Sequence, residues 1–341
     1  MFLNFGTFAA TLWNYWVQDL PVGWVYGVYP IGFLGVLFGF AMLMCPDSPR
    51  HTLHRGRREK AFTDLVWLRQ GAVVQSIEDE WSVMVLNLEA ERLNGHVTHG
   101  LLSSFMGRLV AVGFCGWLLF QFGGNTAFTY YGPTMFHMAG MDAFEFQMLV
   151  SGVGFLVTLP SLWMVDHLGR KTLLLVGSFI MAVSMLTLGI YGGRAIVIPN
   201  VCPSSSDPSD CAHSRGRQAG EVAVVSQVIV VSMILLFTMA HTASWGVVMN
   251  TFTNEIYPVK FRAKAVAVGA LGSCLGQLTM SLFTPKLLDT IHFWTFALFG
   301  VVDVVCVLYA IWIPETAGLH LEHTIEVFEK RLGKKYHTAH S

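Results

Sequence analysis

Four short stretches of the chain set a carboxylate beside a cation. They are Pro46-Asp47-Ser48-Pro49-Arg50, Asp166-His167-Leu168-Gly169-Arg170-Lys171, Glu255-Ile256-Tyr257-Pro258 with Arg262 and Lys264 beyond, and Pro314-Glu315-Thr316-Ala317-Gly318-Leu319. Residues of these types, each at the end of an apolar run, suit ion pairs that form and break rather than bond-making chemistry. Opposite charges at helix ends on one face can hold two helix bundles together and release when the bundles rock. Ordinary basic loops with chance acids would look the same singly; four in this order argue for a latch built from Asp47, Arg50, Asp166, Arg170, Glu255, Arg262 and Glu315. No H-E-x-x-H, G-x-S-x-G or phosphate-binding loop is present, so an enzyme is not the reading. Three ionisable residues lie inside apolar runs: His241, His292 and Asp303. An acid at mid-span costs roughly 2.5–3.5 kcal/mol on insertion scales. Asp303 therefore has to face protein or water, as a proton relay, a solute contact or, preferred here, a partner in a local hydrogen bond. His241 is expected as a satisfied buried histidine and His292 as a solvated one.

The elements that would carry these residues follow from composition. The chain has 341 residues, 53% hydrophobic and 13% charged, against roughly 25% charged in an average soluble domain. Twenty-one Lys and Arg against 22 Asp and Glu give no basic excess, which excludes a nucleic-acid partner. Six cysteines without zinc spacing suggest neither a disulfide scaffold nor a metal site, and no cofactor is implied. Crossing a bilayer takes roughly 20 apolar residues as helix. Seven stretches qualify, at 23–45, 109–131, 147–165, 172–192, 222–252, 265–283 and 290–313. An eighth, Met1–Trp16, carries Asn4 and Asn14 and reads as part of a span; it lacks the basic start and cleavage site of a signal peptide. The fold class is an all-α, polytopic membrane helix bundle of about eight crossings.

Lys and Arg set the orientation. Seventeen lie in 46–108, 170–171, 260–264 and the tail, and four on the other side (Arg194, Arg215, Arg217, Lys286). Loops 46–107, 166–171 and 255–264 and the tail are thus expected in the cytoplasm. Apolar residues at helical spacing predict amphipathic surface helices over Glu59–Leu68 (Ala61, Leu65, Leu68), Ile77–Leu93 and Leu319–Leu332 (Leu321, Ile325, Phe328, Leu332). The outer loop Arg194–Gly220 holds Cys202 and Cys211, a disulfide or two free thiols. Cys45, Cys115, Cys274 and Cys306 are expected as packing residues. Gly123-Gly124, inside a span, is expected to serve close helix packing.

In these motifs the chain resembles the sugar porter family of the major facilitator superfamily, and within it the fungal hexose and quinate permeases. PDSPR at 46–50 resembles the family's P-E-S-P-R. DHLGRK at 166–171 is similar to D-x-x-G-R-R/K, EIYPVKFRAK at 255–264 to E-I-x-P-x-x-x-R-x-K, and PETAGLHLE at 314–322 to P-E-T-K-G-x-x-L-E. QFGGNTAFTYYGPTMF at 121–136 resembles Q-x-x-G-x-N-x-x-x-Y-Y-x-P-x-x-F. The resemblance implies twelve helices in two halves, with solute held between them at mid-membrane. Asn4-Phe5-Gly6 resembles a motif of the fifth helix, so the expected organisation is a major facilitator fold lacking about the first four helices. Residues 1–45 would be a remnant of the N-terminal half, 46–107 a cytoplasmic linker, 108–313 the C-terminal six-helix half and 314–341 a tail.

The resemblance implies a solute site of Gln121, Asn125, Thr126, Asn250 and Gln277. An amide both donates and accepts, which suits a polyol. The family's asparagine falls on Thr126, with Asn125 one position off. Tyr130 and Tyr131 match an aromatic pair at an outer gate, although an interfacial aromatic belt would also place them there. Two tryptophans that the family sets against the sugar are replaced by Asn250 and Cys274, and an asparagine by Gly154. Loss of these aromatic platforms leaves room for a different polar solute. The expected function is secondary-active or facilitative transport of a sugar, polyol or quinate-like acid, with protons weighed as a co-substrate, in a multi-pass protein of the plasma membrane. The alternatives are a non-transporting truncated fragment and, behind it, a porter-like nutrient sensor.

Overall fold

A computed structural model describes residues 2–71, 74–93, 104–138, 142–195, 228–316, 327–328 and 331. Every regular element among them is helical. They are α1 (Phe2–Val17), α2 (Gly23–Met44), α3 (Pro49–His54), α4 (Arg58–Leu68), α5 (Val74–Leu93), α6 (Ser104–Phe122), α7 (Asn125–Met138), α8 (Ala143–Leu168), α9 (Arg170–Ala195), α10 (228–243), α11 (Trp245–Ile256), α12 (Val259–Ile291) and α13 (Trp294–Trp312). Seven stretches of the described residues are long and apolar enough to cross a membrane: Gly23–Met44, Phe105–Gly132, Phe144–Leu168, Arg170–Tyr191, Val228–Ile256, Phe261–Ile291 and Trp294–Trp312. At about 1.5 Å per residue, the 16 residues of α1 fall short of the roughly 30 Å of hydrocarbon. The sequence expectation for α1 was a partial span.

Two expected spans are interrupted. The 109–131 stretch breaks at Gly123–Gly124, where Gly124 takes φ 93°, a left-handed conformation open to glycine. Here a break accompanies the close packing expected of the two glycines. The 222–252 stretch is divided at Ser244, between α10 and α11. Hydropathy averages over a window and does not register a single dihedral angle.

The chain forms two compact units: residues 17–100, and 1–16 with 101–341. This partition places α1 with the large bundle and α2 with the polar helices that follow it, whereas the motif-based division put both in one N-terminal remnant. In the first unit α2 carries no buried residue. Helices α3 to α5 enclose Leu53, Ala61 and Leu88, with Trp81, Met84 and Val85 packed against them. Ala61 and Leu65 are buried as the periodicity requires, but Leu68 is half exposed. Arg69 pairs with Glu80 at 2.9 Å, Arg58 with Glu89 at 3.4 Å and Lys60 with Asp47 at 2.6 Å.

In the large bundle, α1 lies along α8. Asn4 Nδ2 donates to Thr158 Oγ1 at 2.6 Å, Thr11 and Ser151 share a 2.6 Å hydrogen bond, and Phe8 covers Gly152. α8 starts on Asp142, whose carboxylate accepts from the Phe144 and Glu145 amides and so satisfies two of the free N–H groups of the first turn. Helices α9 and α13 pack closely through glycines: Gly189 faces Ala297, and Gly300 faces Leu186. In lipid, where no hydrophobic drive separates helix from tail, such close contact supplies the packing. Cys306 is buried, but Cys45, Cys115 and Cys274 are exposed, which corrects the expectation that all four pack inside.

Candidate functional site

The middle of the bundle holds a row of amide and hydroxyl groups shared by α6, α7 and α12. Gln121, near the end of α6, is buried. Its Nε2 donates to Ser273 Oγ on α12 at 2.7 Å, and its Oε1 accepts from Thr126 Oγ1 on α7 at 2.5 Å. One side chain therefore bridges the Gly123–Gly124 break and ties both half-helices to α12. A turn further along, Gln277 Nε2 donates to the Tyr130 hydroxyl at 2.5 Å, and the Tyr131 hydroxyl donates to the Ser281 carbonyl at 2.7 Å. Ser273, Gln277 and Ser281 are spaced by four residues and so share one face of α12. The helices come this close because that face also carries glycines. A Cβ on Gly276 would lie 2.8 Å from Gln121 Cβ, and one on Gly272 would lie 3.0 Å from the Phe114 carbonyl.

Of the residues expected at the solute site, Gln121 and Thr126 thus join one hydrogen-bonded set with Ser273, while Gln277 pairs with Tyr130 a turn further along the same face of α12 and Tyr131 reaches Ser281 a turn beyond that. Asn125 is half buried at the first turn of α7, where its carbonyl accepts from Thr129. Asn250 is exposed on α11, its carbonyl accepting from Asn254 Nδ2 at 2.7 Å, apart from that row. Ser273 and Ser281 were not singled out from sequence, although their four-residue spacing from Gln277 was available as a signal. Trp245 is fully buried and donates from Nε1 to Ser178 Oγ at 2.7 Å, which fixes it as a packing residue.

Arg170 organises the second cluster, at the end of the bundle rich in Lys and Arg. Its guanidinium lies 2.8 Å from Glu255 Oε1 and 3.8 Å from Asp166 Oδ1, and it donates to the Val165 carbonyl. The Arg170 side chain is 13% exposed and that of Glu255 28%, so the pair is partly shielded from water and stronger than a surface ion pair. Glu315, far along the chain, caps α9. Its two oxygens accept from the Arg170 and Lys171 amides at 2.8 and 3.1 Å, where the positive end of the helix dipole favours an anion. Gly169 turns the chain with φ 85°, and the Glu315 carboxylate fills the place its Cβ would take. Thr316 Oγ1 donates to Glu255 Oε2 at 2.9 Å and closes the ring. The structure brings Asp166, Arg170, Glu255 and Glu315 together and adds Thr316. It places Asp47 against Lys60 in the other unit, with Arg50 on α3 of that same unit. Arg262 Nε turns back to the Tyr257 carbonyl at 3.3 Å.

The buried ionisable residues depart from expectation. Asp303 is fully enclosed, and neither carboxyl oxygen has a hydrogen-bond partner among the described residues, so the local hydrogen bond expected for it is not made. His241 is buried with Nε2 likewise unpartnered, its ring 5.0 Å from that of Phe120. His292 is exposed, as expected, and ends α12. Cys202 and Cys211 and all of the 319–332 segment except 327–328 and 331 lie outside the described residues. Phe328 is buried against the Phe252 ring, 6.5 Å between centroids.

A family model described as "Sugar (and other) transporter" matches residues 1–328. Hexose transporter HXT10 of Saccharomyces cerevisiae is 31% identical over 317 residues, covering 88% of this chain and 54% of that protein. A probable quinate permease of Aspergillus terreus is 27% identical over 336 residues, covering 92% and 54%. The chain thus spans about half the length of the curated relatives it matches. Among solved structures, the proton:xylose symporter XylE, a major facilitator superfamily protein from E. coli, superposes with a TM-score of 0.66 at 22% identity, covering 96% of this chain and 65% of that one.

Proposed function

The chain belongs to the sugar (and other) transporter family, and from that premise we propose that it carries an uncharged sugar or similar polyol across a membrane by alternating access. It is an all-α, multi-pass bundle of the major facilitator type. The observation that carries the proposal is the row formed by Gln121, Ser273, Thr126, Gln277 and Tyr130. Each of these groups both donates and accepts, as a polyol does, so a solute can exchange its hydroxyls for theirs without leaving a buried polar atom unpaired.

An uncharged solute suits the site better than a quinate-like acid. No Lys or Arg occurs between Arg108 and Met138, nor between Lys264 and Lys286. A buried carboxylate without a cation would be costly. The row also spans the parts that must move. Gln121 and Thr126 straddle the Gly123–Gly124 break, and discontinuous helices with unwound backbone are the usual seat of transporter sites. Tyr130 and Tyr131, on the half-helix beyond the break, are suited to gate it. At the other end, the ring of Arg170, Glu255, Thr316 and Glu315 links α9, α11 and the segment after α13, an arrangement that can hold one state closed. The plasma membrane is the proposed location.

Uptake of labelled hexoses by cells that express the chain and lack hexose transporters of their own tests the proposal. Saturable uptake that falls about tenfold in Gln121→Ala, in line with about 1.5 kcal/mol for one hydrogen-bonding group, is the expected outcome. Uptake of quinate in preference to every sugar would contradict the choice of solute.

A further inference from the structure

Asp303 stands at the centre of α13, nine residues from Trp294 and nine from Trp312. Its side chain points at the break between α6 and α7. A Cβ on Gly123 would lie 2.8 Å from Asp303 Oδ1, so the carboxyl group occupies the room that the missing side chain leaves. One turn earlier on α13, Phe299 packs in the same way on Gly124, whose site for a Cβ is 3.1 Å from Phe299 Cδ2. One turn later, Cys306 Sγ lies 4.0 Å from the Leu119 carbonyl. Three successive turns of α13 therefore clasp the broken segment, and the acid is in the middle one.

Among the described residues, no charge answers that acid. From α9 the facing side chain is Met181, and α9 has no titratable residue between Lys171 and Tyr191. α6 and α7 have only Cys115 between Arg108 and Tyr130, and α12 has only Cys274 between Lys264 and Lys286. On α13 itself the titratable neighbours are Cys306 and Tyr309, and the Tyr309 hydroxyl donates to the Val112 carbonyl. As an anion, Asp303 would be an uncompensated buried charge, the least favourable arrangement for a carboxylate. A single proton removes the charge without requiring any new protein partner.

We propose that Asp303 is a proton-binding site built into the α6–α7 break, and that binding and release of its proton are coupled to movement of α7. The step adds one proton from hydronium to a carboxylate oxygen, leaving water and a neutral carboxyl group, and reverses when the break opens to solvent. Acids inside membrane spans that face the bundle interior are a common means of carrying protons, and unwound helix segments are a common place for them. The site itself is independent of the solute; only its use in coupling rests on the transport reading above.

The test is infrared difference spectroscopy of the purified full chain in lipid, between neutral and alkaline pH. The expected result is a protonated-carboxyl C=O band that is lost in Asp303→Asn and moves in Gly123→Ala, where the new methyl presses on Oδ1. Superimposable spectra of the wild type and Asp303→Asn would overturn the proposal. Should Asp303→Asn not fold, Gly123→Ala decides alone: a moved band supports the site and an unmoved band removes it. Uptake measured alongside separates the two readings. A pH-dependent uptake that Asp303→Asn flattens supports coupling, and one that it leaves unchanged refutes it. The band without uptake in any variant leaves the proton site standing and rejects transport.

Discussion

Arg170 shows how much one residue can gather. Its side chain holds Glu255 and its backbone amide holds Glu315, so two carboxylates from distant parts of the chain meet at the first turn of one helix. Arg170→Ala leaves Glu255 half shielded with only Thr316 to answer it, which is expected to weaken the closed arrangement by about 1–3 kcal/mol. Faster labelling of a cysteine placed on the inner side of the bundle would check this. Glu315→Ala removes the cap on α9, with an expected loss of about 0.5–2 kcal/mol, read as a lower melting temperature in detergent. The residue types and helix-end positions of this ring were legible in the sequence; its membership was not. Asp47 and Arg262 carry the same motif signal as Asp166 and Glu255, yet Asp47 meets Lys60 thirteen residues away and Arg262 folds back on its own turn. A motif states which side chains are available at a helix end, whereas reach and direction depend on where the next helix lies.

At the scale of elements, hydropathy was sufficient to find the spans and insufficient to find their interruptions. Apolar runs predicted α8, α9 and α13 to within a few residues, because a bilayer demands length and apolarity of every crossing helix. The run at 265–283 underestimates α12, which begins at Val259 and carries Arg262 and Lys264 in its first turns. The row on α12 went unseen except for Gln277, since serine beside glycine reads as a small-residue face and not as a polar one. The close pair α9 and α13 offers a direct check. A side chain on Gly300 would meet Leu186 Cγ at 2.8 Å and the Leu186 backbone nitrogen at 2.9 Å, so the helices would have to separate. Gly300→Val is expected to cost about 1–3 kcal/mol, seen as a drop in melting temperature that Gly6→Ala, where nothing lies within 4 Å, does not share. In the smaller unit, the Arg69 guanidinium holds the Glu80 carboxyl below the usual carboxylate range, chiefly through its hydrogen bond. Lys60 does the same for Asp47. A depressed folded-state value means that the pairs contribute fully above the ordinary carboxylate pKa of about 4 and lose that contribution as pH falls through the lowered value. Both pairs are exposed, so the expected effect is small. Lower amide protection factors in α4 and α5 at pH 3 than at pH 6, after correction for the intrinsic pH dependence of exchange, and a weaker contrast in high salt, would show it.

For the whole molecule, the proposal rests on a row of neutral hydrogen-bonding groups, a broken helix bearing the two tyrosines proposed as a gate, and an ion-pair ring at one end. Each is a local feature; transport requires that they work in alternation. Counterflow in proteoliposomes measures this most directly. Vesicles containing the chain are loaded with unlabelled hexose and diluted into a trace of labelled hexose. A carrier that exposes its site to one side at a time must return loaded, so the label is expected to accumulate transiently above its outside concentration and then decay. That overshoot should be abolished in Gln121→Ala. Label that rises to the outside concentration without overshoot, or that does not enter faster than in protein-free vesicles, would contradict alternating-access transport by this chain.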